Sequence, residues 1–68
     1  MIITLNNRKE DIPDKEQMSV QELLEYKNYT FKFLAVRVNG NPVKNDAFSR
    51  TEIKGGDKVQ IWHLISGG

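Results

Sequence analysis

Ser19 and Glu22 stand at the spacing of a capping box and mark where the main helix of this chain begins. In that arrangement the serine oxygen accepts from the amide three residues on, while the glutamate reaches back to the cap amide. Met18 and Leu23 occupy the positions of a hydrophobic staple around the same cap. Val20, Leu23 and Leu24 follow at helical spacing as an apolar stripe, and Lys27 can lay its stem along it. The spacing predicts a helix over residues 20–28. A helix this short is unstable in isolation, so its apolar stripe must pack against something else. No cysteine is available to supplement the core through a disulfide or zinc knuckle. The remaining candidate is a sheet.

The rest of the chain supplies one. Met1, Ile3 and Leu5 alternate with Ile2, Thr4 and Asn6, a period of two that predicts a strand with one buried face. Asn6-Asn7 suits a turn because asparagine tolerates left-handed backbone. Residues 8–12 can return as a second strand, which Pro13 ends or confines to an edge. Beyond the helix, Leu34, Val36 and Val38 alternate with Ala35 and Arg37. Asn39-Gly40 offers the positive φ angles of a tight hairpin, with residues 42–44 as a short edge strand. Residues 46–50 predict a turn or single helical turn anchored in the core by Phe48, and residues 53–57 a turn into the last strand. That strand alternates Val59, Ile61, His63 and Ile65 against Gln60, Trp62 and Leu64. Strands and one short helix over one face of a small mixed sheet make the class α+β.

Several functions are disfavoured by composition. Sixty-eight residues make one domain, and a chain near this size buries only about 60% of the surface its unfolded form exposes. Ten basic and nine acidic residues alternate along the chain, without the basic stripe of a nucleic-acid binder. No apolar run is long enough to span a bilayer, and the first residues lack the pattern of a secretion signal. The expectation is a cytoplasmic protein without nucleic-acid or membrane partners. His63 is the sole histidine and cannot build a metal site unaided. There is no Walker motif and no visible pairing of nucleophile with base. Gly55-Gly56-Asp57 could cradle a phosphate on paper, but no helix follows to lend its N-terminus, so a turn is expected.

The chain runs to Gly67-Gly68 directly after the last strand. By itself such a pair reads first as a flexible end or a cloning remnant. It acquires meaning beside four other segments: Met1-Ile2-Ile3-Thr4-Leu5-Asn6, Ser19-Val20-Gln21-Glu22-Leu23-Leu24, Val36-Arg37-Val38-Asn39-Gly40 and Gly56-Asp57-Lys58-Val59-Gln60-Ile61. With Ile65-Ser66-Gly67-Gly68 they occur in the order found in ThiS-type sulfur carriers, which this chain resembles over essentially its whole length. Those are β-grasp proteins of thiamine biosynthesis, related to ubiquitin.

The resemblance implies a β-grasp domain over residues 1–65, with the last strand central and parallel to the first, and a flexible tail over 66–68. It further implies that Gly68 is the point of covalent modification. A ThiF-type adenylyltransferase, related to ubiquitin-activating enzymes and using ATP and Mg, would adenylate its carboxylate. Sulfide or a persulfide, from a donor such as a cysteine desulfurase, would convert it to a thiocarboxylate. A ThiG-type thiazole synthase would receive the sulfur. On this reading the chain binds no cofactor and catalyses nothing itself. Ser66, Gly67 and Gly68 would thread a partner's channel, where two residues without Cβ allow close backbone approach. Three extended residues reach about 10 Å.

Trp62 and Leu64 have the parity opposite to Val59 and Ile61, so they either form a partner-docking face or are partly covered by a loop. His63 falls on the core-side parity and is expected at the edge of the core. Tyr26, Tyr29, Phe31 and Phe33 are expected as packing anchors. The molybdopterin synthase small subunit is a similar carrier, usually longer and often with prolines before its terminal glycines. Here His63-Leu64-Ile65 fills that stretch, which favours the thiamine branch. A ubiquitin-like modifier joined to lysines through Gly68, or a noncovalent β-grasp binding module, are the readings from other classes.

Overall fold

A computed structural model of the chain describes residues 1–29 and 33–64. Strand β1 (Ile2–Leu5) turns at Asn6 (φ 50°) and Asn7 (φ 68°) into antiparallel β2 (Arg8–Asp11). Both asparagines adopt the left-handed backbone expected of a tight hairpin turn. After β3 (Gln17–Ser19) comes α1 (Val20–Tyr26), and then β4 (Leu34–Val38) and β5 (Asn41–Val43), joined through Asn39 (φ 52°) and Gly40 (φ 84°). A 3₁₀ helix (Asn45–Arg50), β6 (Glu52–Lys54) and β7 (Lys58–His63) complete the order.

The five-stranded sheet runs β2-β1-β7-β4-β5, and β3 pairs with β6 as a separate antiparallel ribbon. The last strand is therefore central: β7 lies parallel to β1 and antiparallel to β4. Alternation decides which side chains meet α1. Ile3, Leu5, Val36, Val59 and Ile61 are buried beside the helical stripe of Val20, Leu23 and Leu24, and Ile12, Met18, Leu34, Phe48 and Ile53 join the same core.

The capping box is complete. Ser19 Oγ accepts from the Glu22 amide at 3.0 Å, and Glu22 Oε1 accepts from the Ser19 amide at 2.8 Å. Met18 and Leu23, at the staple positions, are both in the core. The helix ends at Tyr26, two residues short of the expected 28, because Asn28 takes a left-handed backbone (φ 61°). The Asn28 amide then donates to the Glu25 carbonyl at 3.0 Å and the Tyr29 amide to the Leu24 carbonyl at 2.8 Å. Those two bonds are a Schellman stop with asparagine in the usual place of glycine.

Other expectations need correction. The β2 strand ends at Asp11, and Ile12, expected as its last residue, is buried beyond it. Strands β3 and β6 have no signature in the sequence; Ile53, expected in a turn, lies in β6 and is wholly buried. Three-residue strands are too short to display a period of two. Tyr26 and Phe33 are not packing anchors: they are 51% and 58% exposed, and of that group Tyr29 packs against the core while Phe31 lies outside the described residues.

Candidate functional site

The β7 strand is the element that leads toward the glycine pair, and it is held on both edges. Residues Leu34 to Val38 of β4 pair with His63 to Val59 in register. On the other edge, β1 contributes only Thr4 and Leu5 opposite Lys58 and Val59. Asn6 then extends that edge with its side chain, donating from Nδ2 to the Ile61 carbonyl at 3.0 Å and accepting at Oδ1 from the Ile61 amide at 2.8 Å. Past the strand, the Leu64 amide donates to the Phe33 carbonyl at 2.8 Å. Both backbone groups of Ile61, which β1 leaves unpaired, thus find a partner.

At the other end of β7, Asp57 is buried between two turns. Its carboxylate accepts from the Lys54 amide at 2.9 Å and from Asn39 Nδ2 at 3.1 Å, while Asn39 Oδ1 accepts from the Lys58 amide at 2.9 Å. Burial alone would raise the Asp57 pKa, but the Lys54 amide, the Asn39 amide and the Lys54 charge outweigh it and hold it below the ordinary value. Gly56, with φ 90°, makes the turn before it. The Gly55-Gly56 stretch is a turn into a strand, as expected.

Trp62 and Leu64 are 41% and 53% exposed on the sheet face opposite the core. Across from Trp62 on β4 is Ala35, and the Arg37 guanidinium lies 5.5 Å from the centre of the indole ring. Together with Pro42 and Lys44 these residues line a shallow depression of about 320 Å³. His63 is exposed rather than set at the core's edge, on the opposite face beside a small recess that Asn6, Tyr29 and Leu34 also line. Ile65, Ser66, Gly67 and Gly68 lie outside the described residues.

Reading along the chain does not reveal the partners of Asn6 and Arg37. Asn6 is legible as a turn residue and Arg37 as the outward residue of a strand. Their contacts with Ile61 and Trp62 depend on which strands lie side by side. The signal available in advance was the parity of Arg37 and Trp62 on their own strands, which becomes informative only with a register. Among the described residues no three His, Cys, Asp or Glu side chains come together as a metal site, and no helix is long and apolar enough to cross a membrane.

A mixed sheet with a central C-terminal strand, parallel to the first and crossed on one face by the main helix, defines a β-grasp domain. The chain belongs to the ThiS family, whose model matches residues 2–68. It is similar to a crystal structure of the thiamine biosynthesis protein ThiS from Geobacter metallireducens, with a TM-score of 0.91 at 29% identity over 100% of both chains. It is also similar to a solution structure of a thiamine biosynthesis protein from the same organism, with a TM-score of 0.77 at 28% identity over 100% of this chain and 88% of that one. No curated protein matches the sequence.

Proposed function

We propose that this chain is a sulfur carrier of thiamine biosynthesis, acted on by other enzymes, and that it holds sulfur as a thiocarboxylate on Gly68. The observation that carries the reading is the family match, which extends through Ser66, Gly67 and Gly68. The fold supports it by holding β7 on both edges, so that a tail following this strand starts from a rigid body.

The chemistry starts from a poor electrophile. A Gly68 carboxylate oxygen attacks the α-phosphorus of ATP, held with Mg on a ThiF-type adenylyltransferase, and pyrophosphate leaves. Sulfide then attacks the carbonyl carbon of the mixed anhydride; the C–S bond forms as the C–O bond to AMP breaks, and AMP departs with the electron pair. Where the nucleophile is a persulfide from a cysteine desulfurase, the product is an acyl disulfide. A thiol attacks its outer sulfur and becomes part of a disulfide, releasing the thiocarboxylate. A ThiG-type thiazole synthase is the acceptor on this reading. The chain contributes presentation of the tail, and its two glycines remove the Cβ atoms that a narrow channel would otherwise have to clear.

The test is the intact mass of the full chain and of a chain ending at Gly67, after incubation with host extract, ATP and cysteine. Replacement of one oxygen by sulfur in the full chain alone is expected. An unchanged mass, with the adenylating enzymes shown to be active, overturns the reading in favour of a noncovalent module. Adducts to other proteins would instead make the chain a modifier. Rescue of a knockout by thiamine is expected; rescue only by a molybdopterin-dependent product would move the carrier to that pathway.

A further inference from the structure

Asn39-Gly40 is the one place in the sequence where glycine follows asparagine. Such a pair carries a reaction of its own. The glycine amide nitrogen, once its proton passes to hydroxide, can attack the asparagine Cγ, and no Cβ on the glycine shields that nitrogen. Around Gly40 there is open space, since a Cβ added to it would meet no atom within 4 Å. The two residues that supply the left-handed backbone of the β4–β5 turn, at φ 52° and 84°, are thus also a nucleophile and an electrophile open to water.

The fold turns the electrophile away. In the sheet, β4 lies between β7 and β5. The Asn39 side chain reaches to the β7 side, where Nδ2 donates to Asp57 Oδ1 at 3.1 Å and Oδ1 accepts from the Lys58 amide at 2.9 Å. Gly40 leads the chain to β5, on the other side. The Asn39 amide is tied to the same place as its side chain, donating to the Lys58 carbonyl at 2.7 Å. Asp57 is buried and is itself fixed by the Lys54 amide at 2.9 Å. For the Gly40 nitrogen to reach Cγ, the carboxamide has to leave both Asp57 and Lys58, and a buried carboxylate then loses a donor. Ring closure therefore belongs to a locally opened turn.

We propose that Asn39 is a masked deamidation site and that Asp57 is the residue that masks it. When the turn opens, the bond from the Gly40 nitrogen to Cγ forms, the Cγ–Nδ2 bond breaks, and ammonia leaves with the electron pair after taking a proton from water. Water then opens the succinimide, at Cγ to give aspartate or at the Asn39 main-chain carbonyl to give isoaspartate. The net change consumes a water and releases an ammonia, with no oxidation or reduction. Either product undoes the latch. Aspartate sets a carboxylate against that of Asp57 where an N–H group stood. Isoaspartate carries the main chain through Cβ and Cγ, lengthening a two-residue turn whose register holds Val38 opposite Asn41. Deamidation of Asn39 thereby loosens the entry to β7, the strand that leads toward Gly68, whatever that glycine carries.

The experiment follows the full chain at mildly alkaline pH, in buffer and in concentrated urea, by mass and chromatography of the peptide that contains Asn39. Exchange of the side-chain NH2 for OH, with a second isoaspartyl species, marks the reaction. The folded chain is expected to react there about tenfold or more slowly than the chain in urea, and equal rates would overturn the proposal. Asp57→Ala should react about tenfold faster than the parent in buffer and at the parent's rate in urea. Ser19→Ala lowers stability at a site remote from the turn and should stay within about twofold of the parent. Equal acceleration by both variants, or none by Asp57→Ala, would overturn the masking role of Asp57. Circular dichroism reports whether Asp57→Ala folds; where it does not, Asp57→Ser takes its place, keeping an acceptor for the Lys54 amide with no second oxygen for Asn39. Asn39→Asp, made directly, should lower the urea midpoint and speed amide exchange at Lys58. A midpoint and an exchange rate equal to the parent's would overturn the claim that the reaction loosens β7.

Discussion

Asn6 holds both backbone groups of Ile61, a residue 55 positions away, through one carboxamide at 3.0 and 2.8 Å. The Asn6 amide still donates to the Val59 carbonyl at 2.9 Å, and with φ 50° the main chain then turns away from β7. Its side chain supplies the next two bonds of the ladder instead. Asn6→Gly keeps the left-handed backbone at no steric cost and removes those bonds. We expect a loss of about 1–3 kcal/mol in denaturant unfolding. Amide exchange at Ile61 should accelerate more than at Val36, which β5 also supports. Uniform acceleration across the sheet would mean that the latch has no local role.

Asp57 makes stability pH-dependent in a defined direction. Its pKa in the folded chain lies below the ordinary value of 3.8. The stabilisation is therefore fully present above that value and is lost as pH falls through the lower folded one. Asp57→Asn should cost about 1–3 kcal/mol at neutral pH and flatten the acid limb of a plot of urea midpoint against pH. A variant whose acid limb matches the parent would remove Asp57 as its cause.

The helix start can be tested separately. Ser19→Ala removes the acceptor for the Glu22 amide and should cost about 0.5–2 kcal/mol. Because α1 spans only Val20–Tyr26, its loss should appear in the global unfolding transition rather than as fraying confined to the helix. The measurement is thermal unfolding followed by far-ultraviolet circular dichroism. Two separate transitions would contradict it.

Ile53 tests the ribbon formed by β3 and β6. Its side chain is fully buried, so Ile53→Ala should cost about 2–5 kcal/mol. At about 0.05–0.15 kcal/mol per residue, a chain of 68 holds only about 3–10 kcal/mol in all. The variant should accordingly lose a large share of its stability, as read by the fall of its urea midpoint. A cost below about 1 kcal/mol would place Ile53 outside the core that matters.

Local chemistry and periodicity determined several features before any tertiary contact was known. The Ser19–Glu22 box sets the helix start, Asn6-Asn7 and Asn39-Gly40 set two tight turns, and the alternation of Val36, Val59 and Ile61 sets their buried faces. These depend on interactions among residues close in sequence, so the sequence displays them. Strand order was available only through the resemblance to ThiS carriers, because periodicity says which side of a strand is buried and nothing about its neighbour. The β3–β6 ribbon stayed hidden because three residues carry no readable period. Tertiary structure alone decided that Asn6 meets Ile61 and that Arg37 lies over Trp62. Each joins residues from different strands, and a register between strands is a property of the assembled sheet.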